Sequence, residues 1–140
     1  TLALNATVAA GGGGAITKTA GAYSYANTIF AGNTSSGSIC TCSNGASCVG
    51  GGTSSGYNIF DDAVCTSTGS DLTSTAAMLG PLQFNGGSTL TSAPLPGSPA
   101  IGTASWAMCI AAPVNTLDQT GKLRGHGGST CDIGAYETVP

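Results

Sequence analysis

The chain has 140 residues, room for one domain and a modest core. Charged side chains make up 6% of it, the net charge is −3 and 41% is hydrophobic, which excludes a charge-expanded disordered chain. Three basic residues argue against nucleic acid or an anionic membrane as partner, because phosphate contacts need Lys and Arg, and no apolar run approaches the ~20 residues that span a bilayer.

With 19 Thr and 16 Ser, hydroxyls rather than ions keep the surface wet. The sequence starts without Met and shows no signal peptide or anchoring tail, which reads as a processed or excerpted chain. The six cysteines are Cys40, Cys42, Cys48, Cys65, Cys109 and Cys131. An even number in a small, loop-rich chain favours disulfides and an oxidising compartment, whereas one His and scattered cysteines fit zinc poorly.

Along the first half, short apolar-alternating runs are broken by Gly, Ser and Asn, and no window keeps a helical period beside plausible caps. "LNATVAAG" (4–11) recurs as "ANTIFAGN" (26–33), setting Asn5 and Asn27 22 residues apart, and "YNIFDD" places Asn58 a further 31 on. A period in the twenties points to a solenoid with one turn of chain per repeat. Val8, Ile29 and Ile59 then take equivalent inward slots, and Asn5, Asn27 and Asn58 stack as a ladder at one corner; independent turn asparagines are the rival reading.

From Leu79 the texture changes, with five of the six prolines in or near "LGPLQFNGGSTLTSAPLPGSPAIGTA". Proline is poorly tolerated in interior ladders, so this stretch reads as an irregular terminal segment. The expected fold is all-β: a right-handed parallel β-helix over 1–78, with a disulfide-rich excursion at 40–65, and a C-terminal capping segment over 79–140 of the same domain.

The series "NTIFAGNTSSGSIC", "GYNIFDDAVC", "LGPLQFNGGSTLTSAPLPGSPAI" and "DQTGKLRGHGGSTCDIGAYE" resembles the C-terminal part of bacterial secreted right-handed parallel β-helix proteins of the choice-of-anchor Q type, from about Ala26 to Glu137. The resemblance implies a cell-surface or extracellular β-helix with no established catalytic chemistry. In such proteins an anchoring signal typically follows the last motif, where this chain reads "TVP", and an acid is common where Gly102 stands. By position in these motifs Cys40 pairs with Cys65, leaving Cys42 for Cys48 and Cys109 for Cys131.

The tail holds most of the charge of the second half: Asp118, Lys122, Arg124, His126, Asp132 and Glu137. A carboxylate pair for polysaccharide cleavage is one reading. The other is a cover in which Arg124 bonds Asp118, Asp132 or Glu137 and holds a Gly-rich loop over the last coil, with Cys131 as staple and Ile133 and Tyr136 as plug. The second is preferred, because an uncovered last coil would expose unpaired backbone groups and apolar slots; a lyase or hydrolase site on the outer face of the coils is further disfavoured because residues 1–60 contain one charged residue, Lys18, and no acid.

Asp61, Asp62 and Asp71 offer a weak calcium reading against a solvated turn. A Ser–His–Asp arrangement on His126 has no nucleophile elbow to support it. Trp106, Tyr23, Tyr25, Tyr57 and Tyr136 are the supply for glycan stacking; Tyr23 and Tyr25 share a strand face that either looks outward or packs against a neighbouring coil. Asn5 and Asn33 lie in sequons, Asn33 being the better acceptor, and the tracts at Ser35–Ser38 and Thr66–Ser70 suit O-glycans.

The expected function is therefore non-catalytic and without cofactor or metal: an extracellular structural unit that stacks head to tail on copies of itself or on upstream coils. A glycan-binding surface module is the alternative, and a polysaccharide lyase or hydrolase the third reading.

Overall fold

A computed structural model of the chain describes residues 1–3, 6–7, 16, 22–35, 52–61, 67–125 and 128–138. They belong to two compact units, Thr1–Ala76 and Ala77–Pro140.

The described residues of the N-terminal unit form seven short strands: β1 (Leu2–Ala3), β2 (Ala6–Thr7), β3 (Tyr23–Tyr25), β4 (Ile29–Ala31), β5 (Thr34–Ser35), β6 (Gly52–Ser54) and β7 (Ile59–Phe60). Aromatic and β-branched residues favour the extended backbone in β3, β4 and β7. Gly, Asn and Ser between them end each strand after two or three residues. Every pairing among these strands is parallel. One sheet has the order β1-β4-β7, a second pairs β2 with β5, and a third pairs β3 with β6. The chain thus visits the three sheets in rotation. Beyond β7 the first sheet gains one more row, where Leu72 bridges Ile59 in parallel and Thr75 N–H donates to the Phe60 carbonyl.

Register decides what stacks on what. Leu2 faces Phe30 and Ala6 faces Thr34, an advance of 28; Tyr23 faces Gly52, an advance of 29; Ile29 faces Ile59, an advance of 30. Ile29 and Ile59 occupy equivalent buried slots. Val8 lies outside the described residues.

The asparagine ladder is not what the register builds. Asn58 stands opposite Thr28, and it is Tyr57 that matches Asn27; both of these have a left-handed backbone, φ 59° and 48°. Asn5 lies outside the described residues. The local likeness of "NAT" to "NTI" suggests a spacing of 22, whereas ladder hydrogen bonds and ring packing select the longer advance.

Those rings form the centre of the unit. Phe30 and Phe60, both fully buried, stack with centroids 4.8 Å apart and planes 4° from parallel. Tyr25 meets both edge-on, at 5.4 and 6.1 Å, with Ile16 and Tyr23 packed around them. Tyr23 lies over Gly52 so closely that a Cβ there would meet the ring at 2.7 Å, so a side chain at that rung would displace the ring.

The C-terminal unit is mostly irregular. Isolated antiparallel bridges join Leu79 to Pro94, Gln83 to Thr91 and Leu117 to Leu123. One short helix, α1 (Trp106–Ile110), departs from the helix-free reading of the sequence; five residues are too few to leave a period. Its Cys109 is disulfide-bonded to Cys131. Cys40, Cys42, Cys48 and Cys65 lie outside the described residues.

Removing one ring of the stack leaves a cavity where no neighbour can follow. Phe60→Ala is expected to cost about 3–5 kcal/mol in urea unfolding, and Phe60→Leu less than half of that.

Candidate functional site

Four of the tail charges, Asp118, Arg124, Asp132 and Glu137, come together in the C-terminal unit, and the three acids among them are buried. The Leu117–Leu123 bridge closes a tight turn through Gly121, whose φ of +85° suits glycine. Asp118 heads that turn. Its Oδ1 accepts from Thr120 N–H (2.8 Å), Thr120 Oγ1 (2.7 Å) and Lys122 N–H (2.9 Å), and its Oδ2 accepts from Glu137 N–H (2.9 Å). One carboxylate therefore shapes the turn and fastens the tail to it.

The tail itself runs beside residues 100–104, with Ile133 N–H donating to the Ala100 carbonyl and Ala104 N–H to that of Cys131. Asp132 is fully buried; its Oδ1 accepts from Gly102 N–H (2.8 Å) and its Oδ2 from Thr138 N–H and Oγ1 (both 2.7 Å). Gly102 has φ +68°, so an L side chain at this position would be strained. Glu137, 3% exposed, accepts from Gly125 N–H at Oε1 and from Asp132 N–H and Arg124 Nη1 at Oε2.

Arg124 fills the middle of this arrangement. Its guanidinium reaches one carboxylate, Glu137 at 3.3 Å. Its other bonds go to the carbonyls of Leu117 (3.2 Å), Asp132 (3.0 Å) and Gly134 (2.7 Å). Of the three expected acidic partners, then, only Glu137 pairs with Arg124; Asp118 and Asp132 serve backbone N–H groups instead, because the amides of the irregular tail need acceptors, which carboxylates supply and a donor-only guanidinium cannot. Lys122 Nζ donates to the Tyr136 hydroxyl at 2.9 Å and sits 4.6 Å from the ring centroid.

A glycosidase pair needs one carboxyl held protonated as the acid and oxygens open to substrate or water. Here both oxygens of Asp118, Asp132 and Glu137 are engaged by N–H, O–H or guanidinium donors. Burial opposes ionisation of Asp118, but the hydrogen bonds from Glu137, Thr120 and Lys122 outweigh it and hold its pKa below the ordinary carboxylate value. That is the wrong direction for a general acid.

A second network, in the N-terminal unit, is one the sequence did not announce. Asp71 Oδ2 accepts from Ser54 Oγ (2.6 Å) and Thr68 N–H (2.8 Å), while Oδ1 accepts from the backbone and side-chain N–H groups of Asn58 (both 2.9 Å). Asn58, fully buried, also donates to Ser54 Oγ and the Gly56 carbonyl and accepts from Thr28 N–H at 2.9 Å. The T-x-x-D spacing from Thr68 to Asp71, in which the acid reaches back to the N–H three residues before it, is its only sequence signal. Burial opposes ionisation of Asp71 too, and the hydrogen bonds led by Ser54 prevail, again lowering its pKa.

These bonds also bear on calcium. The Asp71 oxygens are engaged, Asp61 Oδ2 accepts from Gly32 N–H, and Asp62 lies outside the described residues. Among the described residues no group of three His, Cys, Asp or Glu side chains could hold a metal ion. His126 also lies outside them.

Tyr25 faces the core, so Tyr23 and Tyr25 do not make an outward platform. Trp106 is half-buried, its ring 3.1 Å from where a Cβ on Gly125 would sit; Tyr57 is exposed and Tyr136 half-buried. Asn33 is 8% exposed, and Asn5 lies outside the described residues. Ser67, Thr68 and Ser70 are exposed, whereas 36–38 and Thr66 are outside. Gly52, Thr53, Ser54, Ser67 and Thr68 line an open groove of about 200 Å³.

No protein-family model matches the chain, and no curated protein or solved structure is significantly similar to it.

Both lowered carboxyls predict an acid-labile fold. A carboxylate whose folded pKa is depressed gives stability that is complete above its unfolded value of about 3.9 and is lost as pH falls through the folded one. The melting temperature is expected to hold from about pH 7 to 5 and to fall below about pH 4, with Asp71→Asn and Asp118→Asn each flattening that fall.

Proposed function

We propose that this chain is a non-catalytic, extracellular structural protein. Its N-terminal unit is a short right-handed parallel β-helix, joined to an irregular, disulfide-stapled C-terminal unit, and it assembles head to tail with copies of itself. The observation that carries this reading is the rotation of seven strands through three parallel sheets, with an advance of 28 to 30 residues per circuit. Such a circuit buries its hydrophobic face only by stacking on another. The resemblance of the ordered motifs to choice-of-anchor Q proteins supports the same fold and the surface location, and the Cys109–Cys131 disulfide fits an oxidising compartment.

Assembly follows from the edge. Among the described residues β1 pairs on one side only, with β4. An edge strand recruits another strand, and identical coils meeting end to end form a heterologous contact that need not close. The scarcity of charge keeps self-repulsion along such a fibre small.

The saturated tail carboxylates favour structure over catalysis. A glycan-binding role is supported by one observation, the hydroxyl-lined groove of Gly52, Thr53, Ser54, Ser67 and Thr68; pull-down on cell-wall polysaccharide, lost on Thr53→Trp, is its test.

For the leading reading, electron micrographs of the purified chain should show filaments whose length grows with concentration. A folded domain fused ahead of Thr1 should abolish them. Monomers alone at every concentration would overturn the assembly. Arg124→Ala, which strands the buried Glu137 carboxylate, is expected to lower stability by about 3–5 kcal/mol. A variant that melts like the parent yet loses product release from a pectin-like substrate would return the site to catalysis.

A further inference from the structure

Of the seven asparagines in the chain two precede glycine, Asn44 and Asn85, and the other five precede Ala, Thr or Ile. An Asn–Gly pair lets the backbone nitrogen after the asparagine approach its side-chain carbonyl carbon with least hindrance, because glycine has no Cβ. Asn44 lies outside the described residues. Asn85 lies on a hairpin in which Gln83 and Thr91 exchange both backbone hydrogen bonds, at 3.1 and 3.0 Å.

That hairpin prepares Asn85 for attack by its own neighbour. Asn85 Oδ1 accepts from Gln83 Nε2 at 3.1 Å, which polarises the Cγ carbonyl and stabilises the negative charge that an attack places on the oxygen. Among the described residues the Gly86 N–H donates to no acceptor, and a Cβ built on Gly86 would meet nothing within 4 Å, so the nitrogen is unengaged and water has access. One isolated bridge joins the two sides, and Gln83, Phe84 and 87–90 are exposed, so local opening costs little.

We propose that Asn85 is a self-modifying site: the Gly86 nitrogen converts it to aspartate and isoaspartate, and the conversion unlocks the hairpin. Gly86 N gives up its proton and bonds to Asn85 Cγ; the Cγ–Nδ2 bond breaks and ammonia leaves with that proton, which closes a five-membered cyclic imide. Water then adds to one of the two imide carbonyls and the ring opens. Breaking the bond from nitrogen to Cγ gives aspartate, and breaking the bond from nitrogen to the Asn85 backbone carbonyl carbon gives isoaspartate. The net change consumes one water, releases one ammonia and involves no oxidation or reduction.

Asn85 Nδ2 is the clamp that is lost. It donates to the carbonyl and Oγ1 of Thr91, at 2.8 and 3.1 Å, and Thr91 is 3% exposed. A carboxylate offers acceptors only, so one of its oxygens faces the Thr91 carbonyl with no proton between them. Isoaspartate also adds a backbone methylene just ahead of a tip without slack. A Cβ on Gly87 would lie 2.6 Å from Thr120 Cα, and Gln119 Nε2 donates to Thr89 Oγ1 at 2.7 Å. Either product puts a negative charge into 72–117, a stretch that has no charged residue.

The test is timed incubation of the full folded chain at neutral to mildly alkaline pH, read by peptide mapping and by isoaspartate-specific methyl labelling. Asn85 should gain the mass of an NH2-to-OH exchange, at a rate within about tenfold of that in the urea-unfolded chain. Gln83→Ala should slow the folded chain at least about threefold and leave the unfolded rate unchanged. As product accumulates, the Gln83 and Thr91 amides should exchange with solvent at least about tenfold faster, and Asn85→Asp should show part of that loss from the start. Asn85→Ser, which cannot close the ring, should show no change with time. Conversion more than about a hundredfold slower in the folded chain overturns the proposal, as does a Gln83→Ala chain that converts as fast as its parent, or conversion that leaves amide exchange unchanged. None of these readouts involves β1 or filaments, so head-to-tail stacking is judged separately.

Discussion

Every backbone N–H and C=O that leaves water needs a partner, and this chain has little regular structure to supply one. Its strands are two or three residues long and its one helix among the described residues has five. Short buried polar side chains fill the gap. In the N-terminal unit Asn58 and Asp71 hold the amides of Thr28, Asn58 and Thr68. In the C-terminal unit Asp118, Asp132 and Glu137 hold those of Gly102, Thr120, Lys122, Gly125, Asp132, Glu137 and Thr138. The described acids act as backbone acceptors first and as ions second.

That use explains where the charge sits. Carboxylates committed to buried amides are withdrawn from the surface, which is left to hydroxyl groups. It also explains the choice of cation at the centre of the tail. Arg124 spreads its donors over three carbonyls and one carboxylate lying in different directions. A lysine ammonium, a compact point charge on a flexible stem, cannot reproduce that fork.

The sequence showed part of this. Short strands and a charged tail were legible because patterning and composition encode them directly, and Ile29 and Ile59 fell into equivalent slots. The register was not legible. "NAT" and "NTI" look alike, yet the stack of Phe30 on Phe60 and the hydrogen bond from Thr28 N–H to Asn58 set a longer advance. Nor could residue type say that Asp71 meets Ser54 and Asn58 rather than a cation, since that depends on a chain reversal placing three residues together. For Tyr23 and Tyr25 the shared face was readable and its direction was not.

The unequal advance carries a consequence of its own. From Tyr25 opposite Ser54 to Ile29 opposite Ile59 the spacing grows by one, and the surplus is taken up where Gly56 and Tyr57 adopt φ of 95° and 59°. The flat sides keep step while the bend stores the slack. A framework of this kind tolerates changes in chain length at its bends and resists them along its sides, so substitutions and small insertions acquire very different penalties a few residues apart.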